Sequence, residues 1–228
     1  MTATILAMHG WAGDSRGWEP FATAAAARGW WWQSPDRGYG SRPAQAAGWP
    51  PAERRRVVVA HSLGPHLLPA AVLAEADAIV LLASFGRFLP PGRDGRRLEG
   101  ALAGMTAALA SGDADAMLSR FLAEAAAPQP LSRLHGTIID SPLTPAGRRL
   151  LLADLDLLAA SRSLPAALPA QIPCLIVEAG DDRIVAPQAR QLLRLERPDA
   201  AVLTYPDAGH CLLDTPVVQD VITWIASL

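Results

Sequence analysis

Residues 57–64 read Val-Val-Val-Ala-His-Ser-Leu-Gly, and that order leaves the chain few ways to fold them. Three β-branched valines in a row favour extended backbone and burial, so they predict a short strand inside a sheet. The run stops at Ala60, and beyond Gly64 the stretch 67–74 is apolar and compatible with a helix. A strand, a sharp turn and a helix with a serine at the apex are the layout of a nucleophile elbow, which lifts the hydroxyl clear of the sheet. So tight a turn brings the second residue before Ser62 close to the second after it, and both must be small. They are Ala60 and Gly64.

The rest of the chain supplies the sheet that such an elbow needs. Residues 5–8 predict a first strand, followed by a turn at Gly13, Asp14 and Ser15 and a helix over 18–28. Trp30-Trp31-Trp32 predicts the next strand, and residues 34–43 are rich in turn formers. Further strands are expected at 78–83, 172–177 and 201–205, with a closing helix at 217–228. Strands separated by helix-length segments predict a parallel sheet with helices on both faces. Between residues 87 and 165 that alternation stops, and only helices are predicted. They cover 100–110, then 113–127 with Met117, Leu118, Phe121 and Leu122 on one face, then a helix capped by Thr144-Pro145 that runs to Ala160. The expected organisation is therefore an α/β core in two parts, 1–86 and 166–228, with an all-helical lid inserted at 87–165.

Composition narrows the function classes. At 228 residues the chain suits one α/β domain, and a formal net charge of −2 gives no basic footprint for nucleic acid. Cys174 and Cys211 are too few for a disulfide framework and fit a reducing compartment. The first ten residues lack a basic region before their brief apolar run, so they read as a strand and not as a signal peptide. No apolar stretch is long and uninterrupted enough to span a bilayer. The expectation is a cytoplasmic monomer with no membrane partner.

A serine hydroxyl is a weak nucleophile at neutral pH and needs a base, which in turn needs an acid to fix its tautomer. Downstream of Ser62, Asp181-Asp182-Arg183-Ile184-Val185 follows one predicted strand and Asp207-Ala208-Gly209-His210 follows the next. Both follow strand ends, so on a parallel sheet both are expected on the same edge as the elbow. The chain order Ser62, Asp182, His210 is that of a serine-hydrolase triad on such a sheet. Asp182 is preferred to Asp181 by its Asp-x-Ile-Val register, and Asp207 lies close to His210 in sequence. Oxyanion stabilisation calls for two amides. The Leu63 N–H, directly after the serine, is one candidate. The Trp11 N–H, in the His9-Gly10-Trp11 turn after the first strand, is the other. His9 and His61 flank these backbones and are read as shaping the pocket. No group has metal-ligand spacing and no glycine-rich phosphate loop follows a strand, so neither metal nor cofactor is expected.

These landmarks resemble the α/β-hydrolase superfamily over essentially the whole chain. They are His9-Gly10-Trp11, residues 36–41, Ala60-His61-Ser62-Leu63-Gly64, Asp182-Arg183-Ile184-Val185 and Gly209-His210. Within it, the chain is similar to the pimeloyl-acyl-carrier-protein methyl ester esterases of biotin synthesis, of the BioH and shorter BioK types. Ala83-Ser84, Arg120-Phe121-Leu122, Asp156-Leu157-Leu158 and the approach from Leu164 to Pro173 carry that likeness. Ala60-His61 stand where the BioH elbow has Gly-Trp, Pro65 stands where a small residue is usual, and the acid loop is one residue shorter.

The resemblance implies a serine carboxylesterase acting on the methyl ester of pimeloyl-acyl-carrier protein. It implies substrate contacts at His9, Gly10, His61, Phe85, Arg87 and Phe121. It also implies recognition of the acidic acyl carrier protein by Arg93, Arg96, Arg97, Arg120, Arg148 and Arg149, whose planar forks suit carboxylate and phosphate. Two other classes compete: a broad carboxylesterase or C–C bond hydrolase of small acids, and a hydrolase-fold module that binds without catalysis.

Overall fold

A computed structural model describes residues 2–51 and 54–228. Six strands form one parallel sheet: β1 (Ala3–Met8), β2 (Trp31–Gln33), β3 (Arg55–His61), β4 (Ala78–Leu82), β5 (Cys174–Ala179) and β6 (Ala201–Tyr205), in the spatial order β2-β1-β3-β4-β5-β6. The fold class read from the sequence holds, and the predicted strands fall within a few residues of those observed.

Successive side chains of a strand point to opposite faces, and the core splits accordingly. Ile5, Ala7, Val57, Val59, Val80 and Val177 pack on one face against α1 (Glu19–Ala26) and the C-terminal α8 (Val217–Ser227). Leu6, Met8, Val58, Ile79, Leu81 and Ile176 pack on the other, against Val72, Leu73 and Leu193. Burial on both faces explains why β3 reads as continuous apolar sequence and does not alternate.

Two helical expectations are corrected. The stretch after the elbow is not one helix but two, α2 (Gly64–Leu67) and α3 (Ala70–Ala74). Pro69 has no N–H to continue the helix and forces the preceding Leu68 into extended backbone, at φ −79° and ψ 141°. The first inserted helix, α4 (Arg93–Ala110), starts seven residues before the expected Gly100, because its charged opening turn carries no apolar stripe. The helices α5 (Ala114–Ala126) and α6 (Pro145–Ala160) match the reading, and the Thr144 side chain accepts from the Gly147 N–H at 3.0 Å as an N-cap should. A further helix, α7 (Pro187–Glu196), was not read from the sequence, although Pro187 at its start is a fitting signal.

Helices α4 to α6 lie between β4 and β5 in the chain and pack over a third apolar cluster. Trp11, Tyr39, Leu63, Phe85, Leu118, Leu151 and Leu155 belong to it. A buried carboxylate ties α6 to the segment after β2. Asp154 accepts from Tyr39 Oη at 2.6 Å and from Arg37 through both a 2.7 Å and a 2.8 Å bond. Removing Asp154 would strip the buried Tyr39 hydroxyl of its acceptor and leave the part-buried Arg37 guanidinium unpaired. Asp154→Ala should therefore lower the unfolding free energy by about 3 kcal/mol, and Tyr39→Phe by about 1 kcal/mol, both read from urea midpoints at unchanged slope.

Candidate active site

In a parallel sheet the place to look is the carboxyl edge where strand order reverses. Here the chain runs outward from β1 to β2 and returns to β3, so the reversal lies between β1 and β3. Met8 and Ala60 face each other at the ends of those strands. Just beyond them the two backbones nearly touch. A Cβ on Gly64 would run into the Met8 carbonyl oxygen, and one on Gly10 would lie 2.7 Å from Ser62 Cβ. Of the motif's small residues, Gly64 is thus demanded by contact with β1 as well as by the turn itself.

Ser62 occupies the apex with φ +55°, a left-handed conformation that costs an L-residue about 1–2 kcal/mol. The end of β4 holds it there. The Ser62 N–H donates to the Leu82 carbonyl at 2.9 Å, and the Ser62 carbonyl accepts from Ser84 Oγ at 2.6 Å. Ser84 was noted in the sequence only as part of a likeness. Its anchoring role has no local signal, because it depends on a neighbouring strand. The Ser62 hydroxyl itself makes no hydrogen bond among the described residues.

Two loops bring an imidazole and a carboxylate to this edge. His210, after β6, has its Nδ1 2.9 Å from Asp182 Oδ2, after β5, and the Asp182 side chain is completely shielded from solvent. Asp182 Oδ1 accepts from the Ile184 and Val185 amides at 2.8 and 2.9 Å. Burial opposes its ionisation, but His210 and those amides outweigh burial and hold the carboxyl below the ordinary aspartate value. Since an ionised carboxylate can only accept, His210 carries its proton on Nδ1 and presents an Nε2 lone pair. Asp181 is half exposed and faces Arg183, and Asp207 is exposed. Of the three candidate acids, only Asp182 meets the imidazole.

The two oxyanion candidates, the Trp11 and Leu63 amides, lie in the turn after β1 and directly after Ser62. The Gly10 carbonyl accepts from the Gly13 N–H at 3.1 Å and from His9 Nδ1 at 2.9 Å. In a trans peptide the N–H points opposite to the C=O. The Trp11 N–H is therefore turned away from those donors, and neither it nor the Leu63 N–H finds an acceptor among the described residues. The Arg37 N–H donates to His9 Nε2 at 3.1 Å, which fixes the tautomer, and burial keeps this histidine's pKa below the ordinary value.

Beside His210 lies a mainly apolar cavity of about 160 Å³, and His9, Gly10, His61 and Phe121 stand in its wall. Phe85 and Arg87 do not. Ala83, at φ +43°, turns the chain after β4 so that Phe85 is driven fully into the core, stacked on His66 at 5.3 Å, while Arg87 Nε donates to the Leu89 carbonyl. Residues 134–137 and Cys211 also line the cavity, and neither was anticipated. The former lie in a segment with no periodicity to read. Burial, with a smaller push from Asp182, raises the Cys211 thiol to about 12. Of the inserted-helix arginines, Arg93, Arg96, Arg97, Arg120 and Arg149 are exposed. Arg148 is occupied, donating to the Leu109 and Ser111 carbonyls at the end of α4. Among the described residues no three His, Cys, Asp or Glu side chains are grouped to hold a metal ion, and no helix is long and apolar enough to cross a membrane.

A profile of the Alpha/beta hydrolase family matches residues 5–219. No curated protein matches the chain. Among solved structures, an esterase from Exiguobacterium antarcticum is similar, with a TM-score of 0.72 at 17% identity over 99% of this chain and 91% of that one. A thermophilic esterase from Thermogutta terrifontis gives 0.69 at 16% identity over 99% and 90%. The enol-lactonase from Burkholderia xenovorans LB400 gives 0.67 at 14% identity over 100% and 91%. At these identities the likeness is one of fold.

The neutral histidines make the stability of the site dependent on pH. Burial, and secondarily His210, pushes His61 from 6.5 down to about 3. A group whose pKa is depressed in the folded state takes its proton first in the unfolded chain. Stability is therefore undiminished above pH 6.5 and falls as pH drops from there towards 3. Urea unfolding across that range should show the fall, and His61→Gln should make it shallower than in the wild type.

Proposed function

The chain belongs to the alpha/beta hydrolase family, and from that membership and the geometry at Ser62 we propose that it is a serine carboxylesterase. The observation that carries this reading is the 2.9 Å contact between His210 Nδ1 and a fully enclosed Asp182, in a chain whose Ser62 is held at positive φ at the end of β3. In the first half-reaction His210 Nε2 takes the Ser62 proton as Oγ attacks the ester carbonyl. The Trp11 and Leu63 amides receive the negative oxygen of the tetrahedral intermediate, each worth about 3 kcal/mol of transition-state stabilisation. Collapse expels the alcohol, which takes its proton from His210. Water, deprotonated in turn by His210, attacks the acyl-serine, and the acid leaves.

For the substrate we propose the methyl ester of pimeloyl-acyl-carrier protein, with methanol and the free ω-carboxylate as products, in biotin synthesis. The sequence resemblance supports it, and so does the placement of charge. Arg93, Arg96 and Arg97 share one face of the opening turn of α4, exposed, where positive charge opposes the helix dipole. Helix stability alone disfavours them there, and an acidic carrier protein would favour them. Arg120 and Arg149 add exposed charge on the neighbouring helices. The helices between β4 and β5 would then act as the lid. One observation favours a second reading. A cavity of about 160 Å³ is close in size to a void of roughly 150 Å³ that holds a benzene molecule, which suits an esterase of small soluble esters.

A fluorophosphonate probe should label the wild-type protein at Ser62, and Ser62→Ala should abolish labelling and turnover while leaving the fold intact. Asp182→Asn should lower kcat by roughly 10⁴-fold. A folded wild-type protein that stays unlabelled would remove the esterase reading. The substrate is decided by comparing rates on the carrier-linked methyl ester and on short free esters. A preference for the former that falls with salt and with Arg93→Glu/Arg96→Glu supports pimeloyl-acyl-carrier protein. Equal, salt-independent rates support the small-ester reading.

A further inference from the structure

We infer that His61, read from the sequence as a pocket-wall residue, is a positioning residue that holds the base loop against the nucleophile strand. Ser62 ends one segment and His210 stands 148 residues later on another, and something must fix the distance between them. His61 is the last residue of β3 and the immediate neighbour of Ser62. Its Nε2 lies 2.9 Å from the main-chain carbonyl oxygen of His210, and the two imidazole rings are 4.7 Å apart. A carbonyl oxygen only accepts, so His61 donates from Nε2–H and is held in that tautomer. The bond thus runs from the strand that carries the nucleophile directly to the backbone of the residue that carries the base.

The loop needs such a tether. Leu212 and Asp214 have φ values of +52° and +55°, two left-handed residues within four of His210. Strain of that kind persists only where outside contacts over-determine the conformation. Cys211 is held on one side, its N–H donating to the Ala125 carbonyl at 3.1 Å. His61 supplies the hold at His210 itself. The enclosed, uncharged state of the His61 ring keeps a second positive charge away from His210 when that residue becomes an imidazolium. Losing the donor would leave the His210 carbonyl unpaired in an enclosed site and free its imidazole to drift from Ser62, at the end that Asp182 does not restrain.

This inference rests on the serine-hydrolase reading, and a graded series of variants separates the two. In Gln the side-chain amide nitrogen reaches about as far as Nε2, in Asn it stops short, and Leu has no donor at all. In His61→Leu and His61→Asn the second-order rate of fluorophosphonate labelling and kcat for a small ester should fall at least tenfold, with KM within about twofold of wild type. His61→Gln should recover to within about threefold. If the Leu variant does not fold, the contrast between Gln and Asn decides alone. Wild-type rates in the Asn variant, or a Gln variant as slow as Asn, would overturn the tether while leaving the esterase reading intact. A wild-type protein that neither labels nor hydrolyses esters would overturn both.

Discussion

The approach of two backbones where β1 and β3 end is the contact on which the rest of the site depends. The elbow can cross the Met8 carbonyl only because residue 64 has no side chain, and the turn after β1 can lie on Ser62 only because residue 10 has none. That crossing sets the height of the serine above the sheet and places the Leu63 and Trp11 amides near it. Sheet order then does the remaining work. With β5 and β6 on the far side of β4, the acid and base loops rise from the same carboxyl edge and reach back towards the crossing. A larger residue at either glycine would separate the serine from its amides before it disturbed the acid and base.

Electrostatics at the site is governed by enclosure. Asp182 is buried yet held ionised, because three partners outweigh the loss of water: His210, by charge and by its N–H, and two backbone amides. His9 and His61 stay neutral because burial dominates and no carboxylate reaches them closely enough to reverse it; Asp36 stands 4.0 Å from His9. The result is one imidazole with an ionised partner and two without. Only the first has the partner that the proposed base requires. The other two act as fixed donors, His9 on the Gly10 carbonyl and His61 on that of His210.

What could be read from the sequence follows from how local each cause is. The valine run of β3, the Thr144-Pro145 cap and the residues Ser62, Asp182 and His210 are local patterns, and each was legible. The break at Pro69 is also local, but the flanking leucines and alanines read as one helix and mask it. Other features have causes far away in the chain. Phe85 looked like a pocket residue until the turn at Ala83 sent it into the core, and Arg148 looked free until the end of α4 supplied its carbonyls. The Asp154 cluster joins residues 115 or more positions apart, which no periodicity announces.

The same long-range contacts bear on how the inserted helices relate to the catalytic edge. Trp11 offers its main-chain N–H to the site, but its indole N–H donates to the Leu151 carbonyl of α6 at 2.9 Å and its ring meets Phe121 of α5 edge-on at 4.8 Å. At the other end of the cavity Ala125, near the end of α5, receives the N–H of Cys211, next to His210. Trp11, one of the two proposed oxyanion donors, and the loop of His210, the proposed base, are therefore each fastened to these helices. Such helices cannot swing away as a rigid cover without disturbing both.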